Sequence, residues 1–322
     1  MSWLVLGLLV VGALIWARDF LEGERLLLDL YREWQLSRTD LFELDAACAA
    51  NTDRSDIVVS LSVIPSRIGF VAFTLKSLMS QTRAPAEIRI YVPSFSIREQ
   101  VPYVVPDWLS RLKTVRIVSC GTDYGPATKL IPALLASEAD QKIVALDDDR
   151  IYPRKLIAIL ESAARSDADA AFGFSGWIVP EDFVDRPTTI VGNVLERAPV
   201  PIRATRQRTL REVDILQGVG AFLVRPPFFD LTQLLDYSAA PQAAFFVDDV
   251  WISAHCSVPK YVVPARRSNF QPRSHALFFK RTSLGWINRG PGGHTNRNNS
   301  IMLRYFSDRW RVGGPRSGRK LR

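Results

Sequence analysis

Carboxylates gather at two places along the 322-residue chain. Asp147, Asp148 and Asp149 follow directly on the apolar run Ile143-Val144-Ala145-Leu146, and Asp248-Asp249 precede Val250-Trp251-Ile252 about 100 residues later. Three like charges in a row repel one another and lose hydration together. They make sense as neighbours where a divalent cation, or donors on a ligand, sits between them. Oxygen-only ligands favour a hard ion, Mg²⁺ or Mn²⁺, that keeps positions open for a substrate diphosphate. The plainer alternative is an acidic turn capping a helix that starts near Arg154, because Asp is a favoured N-cap. The Asp248-Asp249 pair has a plain alternative too, as an acidic helix N-terminus stabilised by the helix dipole. Neighbouring helical residues project about 100° apart, so at most one of that pair aims at a reacting centre.

Two cations have suggestive placements. Lys129 follows the Gly125-Pro126 turn near a helix start, where an ammonium can meet a phosphate or a sugar hydroxyl. Arg67, two residues beyond Pro65, comes just after an apolar strand pattern and can meet a base or a diphosphate. Each is otherwise an ordinary solvated side chain. Trp177 and Trp251 are able to stack on sugar rings, although aromatics in such apolar settings are usually core.

The elements that would position these residues alternate. Strand patterns cover residues 57–64, 87–92, 115–118 and 142–146, and helical patterns cover 68–81, 126–136 and 154–165. This βαβ rhythm with short connections predicts an α/β domain, a mainly parallel sheet flanked by helices. Ligands of such sheets bind beyond the carboxyl ends of the strands, where the acidic triplet lies. Past residue 170 the pattern loosens. A strand over 215–224 is punctuated by Gln217, Gly218 and Gly220, where a ligand or backbone can approach closely. A helix holds Phe245, Phe246, Val250 and Ile252, and a strand pattern over 260–263 closes the domain. A Gly/Asn-rich loop over 285–299 contains His294.

The bulk numbers suit a globular protein with ample core: 47% apolar and 23% charged residues, net charge +8. Charge is divided unevenly. From Arg266 to the end, 14 Lys/Arg stand against the single acid Asp308. A basic C-terminal fifth points to anionic surfaces or phosphates. No recognition helix, zinc-finger spacing or RNA-binding aromatic motif accompanies it, which argues against nucleic acid as the partner. Three widely spaced cysteines fit a reducing compartment rather than a disulfide framework.

At the N-terminus, residues 3–17 form a charge-free apolar run that would reach roughly 22 Å as a helix, short of the ~30 Å hydrocarbon core. A membrane anchor, a signal-peptide region and a core helix compete, and the anchor is favoured. The signal-peptide reading lacks a basic n-region and a small-residue cleavage site. Arg18 and Arg25 after the run place the body in the cytoplasm by the positive-inside bias. The expected organisation is an anchor over residues 1–18 and a helical neck and linker over 19–55, the neck amphipathic or lying on the membrane surface. A catalytic domain over 56–300 and a basic tail over 301–322 follow.

Residues 57–65 (Ile-Val-Val-Ser-Leu-Ser-Val-Ile-Pro) with Arg67, then Leu78, Gln81 and Ile88-Arg89-Ile90-Tyr91-Val92-Pro93, resemble the opening of a GT-A, Rossmann-like nucleotide-sugar glycosyltransferase. Asp147-Asp148-Asp149 is similar to that family's metal-binding DXD motif. Asp248-Asp249-Val250-Trp251 resembles the later acidic motif of family 2-like and exostosin-like members, with Asp248 where many relatives carry Glu. Asp123-Tyr124-Gly125-Pro126-Ala127-Thr128-Lys129 resembles a further motif of a bacterial-type subset. The resemblance implies that Asp149 ligates Mn²⁺ or Mg²⁺ and that Asp147 shares the metal or contacts the ribose. Asp148 shapes the turn beside the cofactor, while Pro65, Arg67 and Lys129 line the nucleotide site. A ligand from the C-terminal loop often completes such metal sites, with His294 the first choice and His275 the second. Asp249 is implied as the base that takes the acceptor proton and Asp248 as its neighbour for orientation or acceptor binding.

The implied activity moves a sugar from a nucleotide-diphosphate sugar to a hydroxyl of a glycan or lipid-linked acceptor, at a membrane. Two rivals remain: a nucleotidyl- or phosphotransferase using the same acidic site, and a non-catalytic scaffold of the same fold. The first would ordinarily show a Gly-rich basic loop before its first helix, and Pro65-Ser66-Arg67 has no glycine run.

Overall fold

Strands covered on both faces read as apolar runs, and four parallel strands, apolar at the sheet centre and alternating with polar residues toward its edge, form one half of the central sheet. The computed structural model describes residues 2–281, 283–289 and 292–314. Strands β1 (Val58–Ser62), β2 (Glu87–Pro93), β3 (Val115–Cys120) and β4 (Ile143–Ala145) lie parallel in the order β3-β2-β1-β4. The later strands are β5 (Ala171–Gly173), β6 (Ser175–Trp177), β7 (Pro201–Arg203), β8 (Arg211–Val213), β9 (Ile215–Leu216), β10 (Phe222–Val224) and β11 (Lys260–Val262). The eight-stranded sheet runs β8-β11-β5-β10-β4-β1-β2-β3, with β8 and β10 antiparallel to their neighbours. The central sheet is therefore mostly parallel and flanked by helices, as the α/β reading requires. Strands β9, β6 and β7 form a small antiparallel sheet of their own.

The strand expected over 215–224 is in fact two strands in two sheets. Gln217–Gly220 leaves the ladder as a 3₁₀ turn, and Ala221 adopts φ 64° before β10 begins. The helix expected over 68–81 divides into a 3₁₀ turn, Pro65–Phe70, and α4 (Ala72–Met79). Helix α5 (Leu156–Ser166) starts after Pro153, and α6 (Asp248–His255) begins at the second acidic pair.

The N-terminal helix α1 (Ser2–Glu22) is longer than its charge-free run, because Arg18, Asp19 and Glu22 continue it. At 1.5 Å per residue it reaches about 31 Å, enough for a hydrocarbon core. Residues Trp3–Glu22 are apolar enough to cross a membrane, and none is buried. This helix fits an anchor, and a signal sequence has the same character. The neck is helical, as α2 (Leu26–Arg38) and α3 (Leu41–Ala50), but it is docked on the domain rather than extended from it. Leu36 packs with Ile151 and Phe270, Cys48 joins the main core, and the Asp45 carboxylate accepts from the Lys113 and Thr114 amides at 2.7 and 2.8 Å. Residues 46–50, within the expected neck and linker, are thus the end of a packed helix.

The domain also extends past residue 300. Helix α7 (Asn298–Tyr305) buries Met302 and Leu303, and Phe306 and Trp310 follow them into the core. Buried Asp214 then accepts from the amides of Arg311, Val312 and Gly313. Only residues 315–322 of the expected basic tail lie outside the described residues.

Candidate active site

The carboxyl ends of β1, β3 and β4 open into one cleft of about 390 Å³, within the range of small-molecule sites. The acidic triplet sits at its base because β4 ends at Ala145 and buried Leu146 commits the next residues to the strand's exit. Its backbone is clamped from α4. The Thr74 hydroxyl donates to the carbonyls of Asp148 and Arg150 at 2.6 and 2.8 Å, and Ser77 Oγ accepts from the Tyr152 amide at 3.0 Å. The Tyr152 hydroxyl in turn accepts from the Asp147 amide at 3.0 Å. No pattern in the sequence marks Thr74 or Ser77, since small hydroxyls on a helix are ordinarily solvent-facing or capping.

Lys129 joins the two acidic motifs. Its Nζ lies 2.6 Å from Asp147 Oδ1 and 2.7 Å from Asp248 Oδ2, with the side chain only 6% exposed. Burial alone would favour the neutral amine, but Asp147, Asp248 and Asp249 outweigh it and hold the ammonium charged well above the ordinary lysine range. Asp147 is affected in the opposite sense: burial raises it, and Lys129 more than reverses this, leaving its carboxyl below the usual range. Gly218 packs against this ion pair. A Cβ there would run into Lys129 Nζ and lie 2.8 Å from Asp147 Oδ1, so a larger residue would push this ion pair aside. Gly125, which starts the turn carrying Lys129, has φ 60°, and a Cβ there would lie 2.6 Å from the Phe245 carbonyl oxygen.

Arg67 serves the other side of the triplet. Its guanidinium lies 3.3 Å from both Asp148 Oδ1 and Asp149 Oδ2 and stands over the Phe279 ring. Gln271 Nε2 donates to Asp149 Oδ2 at 3.2 Å, and Arg150 lies 3.3 Å from Asp149 Oδ1. Asp148 is pushed up to about 7 by burial and by the repulsion of Asp149 and Asp147, against the pull of Arg67.

Asp248 and Asp249 open α6. Asp249 Oδ1 accepts from the Gly218 amide at 2.8 Å, and burial followed by repulsion from Asp248 pushes its carboxyl up to about 8. Both residues also line a second chamber of about 230 Å³, together with Trp177, Asp185, Thr188, Asn288 and Asn299. Gln217, Asp248, Asp249 and Asn288 border both spaces, so the acidic pair forms part of the wall between them.

The structure therefore gathers Arg67, Lys129, Asp147, Asp148, Asp149, Asp248 and Asp249 at one cleft, with Pro65 opening the 3₁₀ turn that carries Arg67. It does not gather the histidines. His294 is exposed on its own 3₁₀ turn and lines neither chamber. His275 packs edge-on against Phe70, Phe73 and Phe279. The third metal ligand expected at His294 is absent because the 292–296 turn faces solvent. Trp251 is fully buried, donates to the Leu234 carbonyl at 3.0 Å and stacks on Tyr237, so it is a core residue. Arg98, Tyr103 and Asn288 line the cleft without any motif to announce them. Asp123 braces the loop by accepting from the Ile97 and Gly125 amides at 2.7 and 2.8 Å.

Among the described residues no three His, Cys, Asp or Glu side chains converge as a metal site. The donor chemistry still suits a hard cation. Asp147 keeps 30% of its side chain exposed beside Asp149, and Mg²⁺ is commonly held by one or two carboxylates plus substrate phosphates and water.

No family model matches the chain, and no curated protein matches it in sequence. Several solved structures are similar in outline. GalNAc-T7 with UDP, GalNAc and Mn²⁺ is 14% identical over 65% of this chain, with TM-score 0.42. S. aureus TarS 1–349 with UDP-GlcNAc is 11% identical over 79% of this chain and 66% of its own, with TM-score 0.41. A 4-diphosphocytidyl-2C-methyl-D-erythritol synthase is 11% identical over 71% of this chain and 98% of its own, with TM-score 0.40. The chain spans 41% of the GalNAc-T7 chain. Likenesses this distant carry no functional weight, and the chemistry has to be read from the cleft.

Proposed function

We propose that the chain is a membrane-anchored GT-A glycosyltransferase that moves a sugar from a nucleotide-diphosphate sugar to a hydroxyl of a glycan or lipid-linked acceptor. The observation that carries this reading is the wall between the chambers. A transferase needs one space for the donor and another for the acceptor, with a proton acceptor between them, and Asp249 borders both. The larger space, with Arg67, Arg98 and Lys129 in its lining, suits a nucleoside diphosphate. The smaller one offers the Trp177 ring with Asp185, Thr188 and Asn299, an apolar face with polar neighbours that suits a sugar.

In this reading Asp249 takes the acceptor hydroxyl proton. The Gly218 amide fixes one of its oxygens, and its raised proton affinity suits it to the task. Asp248 holds Lys129 in place, and Lys129 keeps positive charge beside Asp147 as the diphosphate departs. Asp147 and Asp149 would hold Mn²⁺ or Mg²⁺, which when bound supplies charge neutralisation for the leaving diphosphate. Arg18 and Arg25, at and just beyond the end of the span, support a cytoplasmic catalytic domain. A nucleotidyl- or phosphotransferase would also use two spaces, and the feature that sets the two readings apart is that Pro65-Ser66-Arg67 lacks the Gly-rich loop such enzymes ordinarily carry.

Two measurements test the reading. Thermal shift against a panel of nucleotide sugars, with and without Mn²⁺, should give stabilisation that needs both. Asp249→Asn should keep that donor shift while sugar transfer falls about 10²–10⁴-fold. Undiminished transfer by the variant would remove the base assignment, and a donor shift with no transfer to any acceptor by the unmodified chain would favour a scaffold.

A further inference from the structure

Helix α2 is amphipathic the wrong way round for a helix packed on a soluble domain. Its inward face carries acids: Asp29 accepts from the Arg25 amide at 2.8 Å, and Glu33 accepts from the amides of Arg273 and Ser274 at 2.7 and 2.9 Å. Its outward face carries Leu27, Leu30, Tyr31 and Trp34, exposed by 64, 42, 55 and 54%. The spacing i, i+3, i+4, i+7 makes them one continuous stripe. A soluble helix buries that stripe and leaves its acids in water. Here the apolar side faces away from the protein.

Two adjoining clefts of about 670 and 530 Å³ run along one edge of the stripe, where Tyr31 lines the larger, and they share Leu28, Pro264, Ala265, Arg266 and Arg267. Arg25, Arg32, Arg154, Lys155 and Arg208 complete their basic lining, and buried Asp29 is the only acid in it. Arg32 is held below the ordinary arginine range by burial and by the like charge of Arg154. The surface is also continuous with α1. The Asp19 carboxylate accepts from the Leu26 amide at 2.9 Å, Thr205 Oγ1 donates to the Gly23 carbonyl at 3.0 Å, and Asn193 Nδ2 donates to that of Leu21 at 3.1 Å. The foot of the anchor, the start of α2 and the domain are therefore tied together.

We propose that this face docks onto anionic phospholipid of the bilayer that α1 enters. The α2 stripe lies among the upper acyl chains, and the arginines and Lys155 of the two clefts take lipid phosphates. Apolar stripe and basic flank together form the arrangement of an interfacial helix. The proposal does not depend on which reaction the catalytic cleft performs, and its test does not read sugar transfer.

The test uses the full chain reconstituted into phosphatidylcholine bilayers with and without phosphatidylglycerol. A fluorescent environment probe is attached at Leu30→Cys in a Cys120→Ser background, Cys48 and Cys256 being buried. The expected result is quenching by lipid spin-labelled near the top of its acyl chain, at least threefold stronger with phosphatidylglycerol. Arg266→Glu/Arg267→Glu, both exposed positions, should bring that ratio down to about one. Three results would overturn the proposal: a probe that stays in water in every bilayer, equal burial with and without phosphatidylglycerol, or displacement by millimolar inorganic phosphate, which would mark a site for a free anion.

Discussion

Lys129 is the residue on which the catalytic cleft turns. It is the ion-pair partner of one carboxylate from each acidic motif, with Asp248 buried and Asp147 30% exposed. Removing one partner of a buried ion pair costs about 3–5 kcal/mol, chiefly through the charges left behind. Lys129→Met should therefore lower the unfolding free energy by about that amount in denaturant titration, with Asp248→Asn in the same chain restoring part of it. A loss under 1 kcal/mol would mean that Asp147 and Asp248 are solvated, contrary to their surroundings. These residues were legible in the sequence because each sits in a motif whose composition is costly without a partner. His294 differs from them: its Gly/Asn-rich loop suggested a ligand, and the fold places it in solvent, away from the carboxylates. No motif marks Arg98 and Asn288, isolated polar residues that acquire meaning only when the chain folds around the cleft.

At the level of elements, β1 and β4 were legible because central strands are largely apolar, β2 and β3 because apolar residues recur between their charged or polar ones, and helices between them follow from short connections. The strand over 215–224 misled for a physical reason. Ile215-Leu216 and Phe222-Leu223-Val224 are both strand-like, but Gln217–Gly220 turns between two sheets so that the Gly218 amide can reach Asp249. Helix α4 carries a duty that no periodicity reveals, because Thr74 satisfies two carbonyls and an amide of the acidic turn. Thr74→Val keeps the shape and removes those bonds, so buried polar groups lose their partner. The expected loss is about 1–3 kcal/mol in equilibrium unfolding. Donor KM should rise as well, since the triplet would no longer be held in register. A variant with unchanged stability and unchanged KM would show that the turn is held elsewhere.

On the scale of the whole molecule, the neck and the segment up to residue 314 pack against the domain, while α1 stands exposed. The C-terminal segment illustrates why: its charge suggested a solvated tail, yet Met302, Leu303, Phe306 and Trp310 punctuate it at core positions. Truncation after residue 300 should leave no cooperative unfolding transition, whereas truncation after 314 should retain one. The neck is joined to the body through buried acids, and this gives it a pH dependence. Burial raises Asp29 from 3.8 to about 6, against the hydrogen bond from the Arg25 amide. A carboxyl with a folded pKa above its unfolded one is favoured when protonated. Its contribution is complete below about pH 3.8, declines as the pH rises, and is gone above about pH 6. Asp29→Asn carries no charge at any pH and keeps an oxygen that can accept from Arg25. Relative to the unmodified chain it should gain Tm at pH 7, by about 2 °C, and gain nothing at pH 3.5. The measurement is Tm against pH for both chains in one detergent. Parallel curves would mean that Asp29 is not desolvated beneath α2, and the inward-facing acids of that helix would lose their explanation.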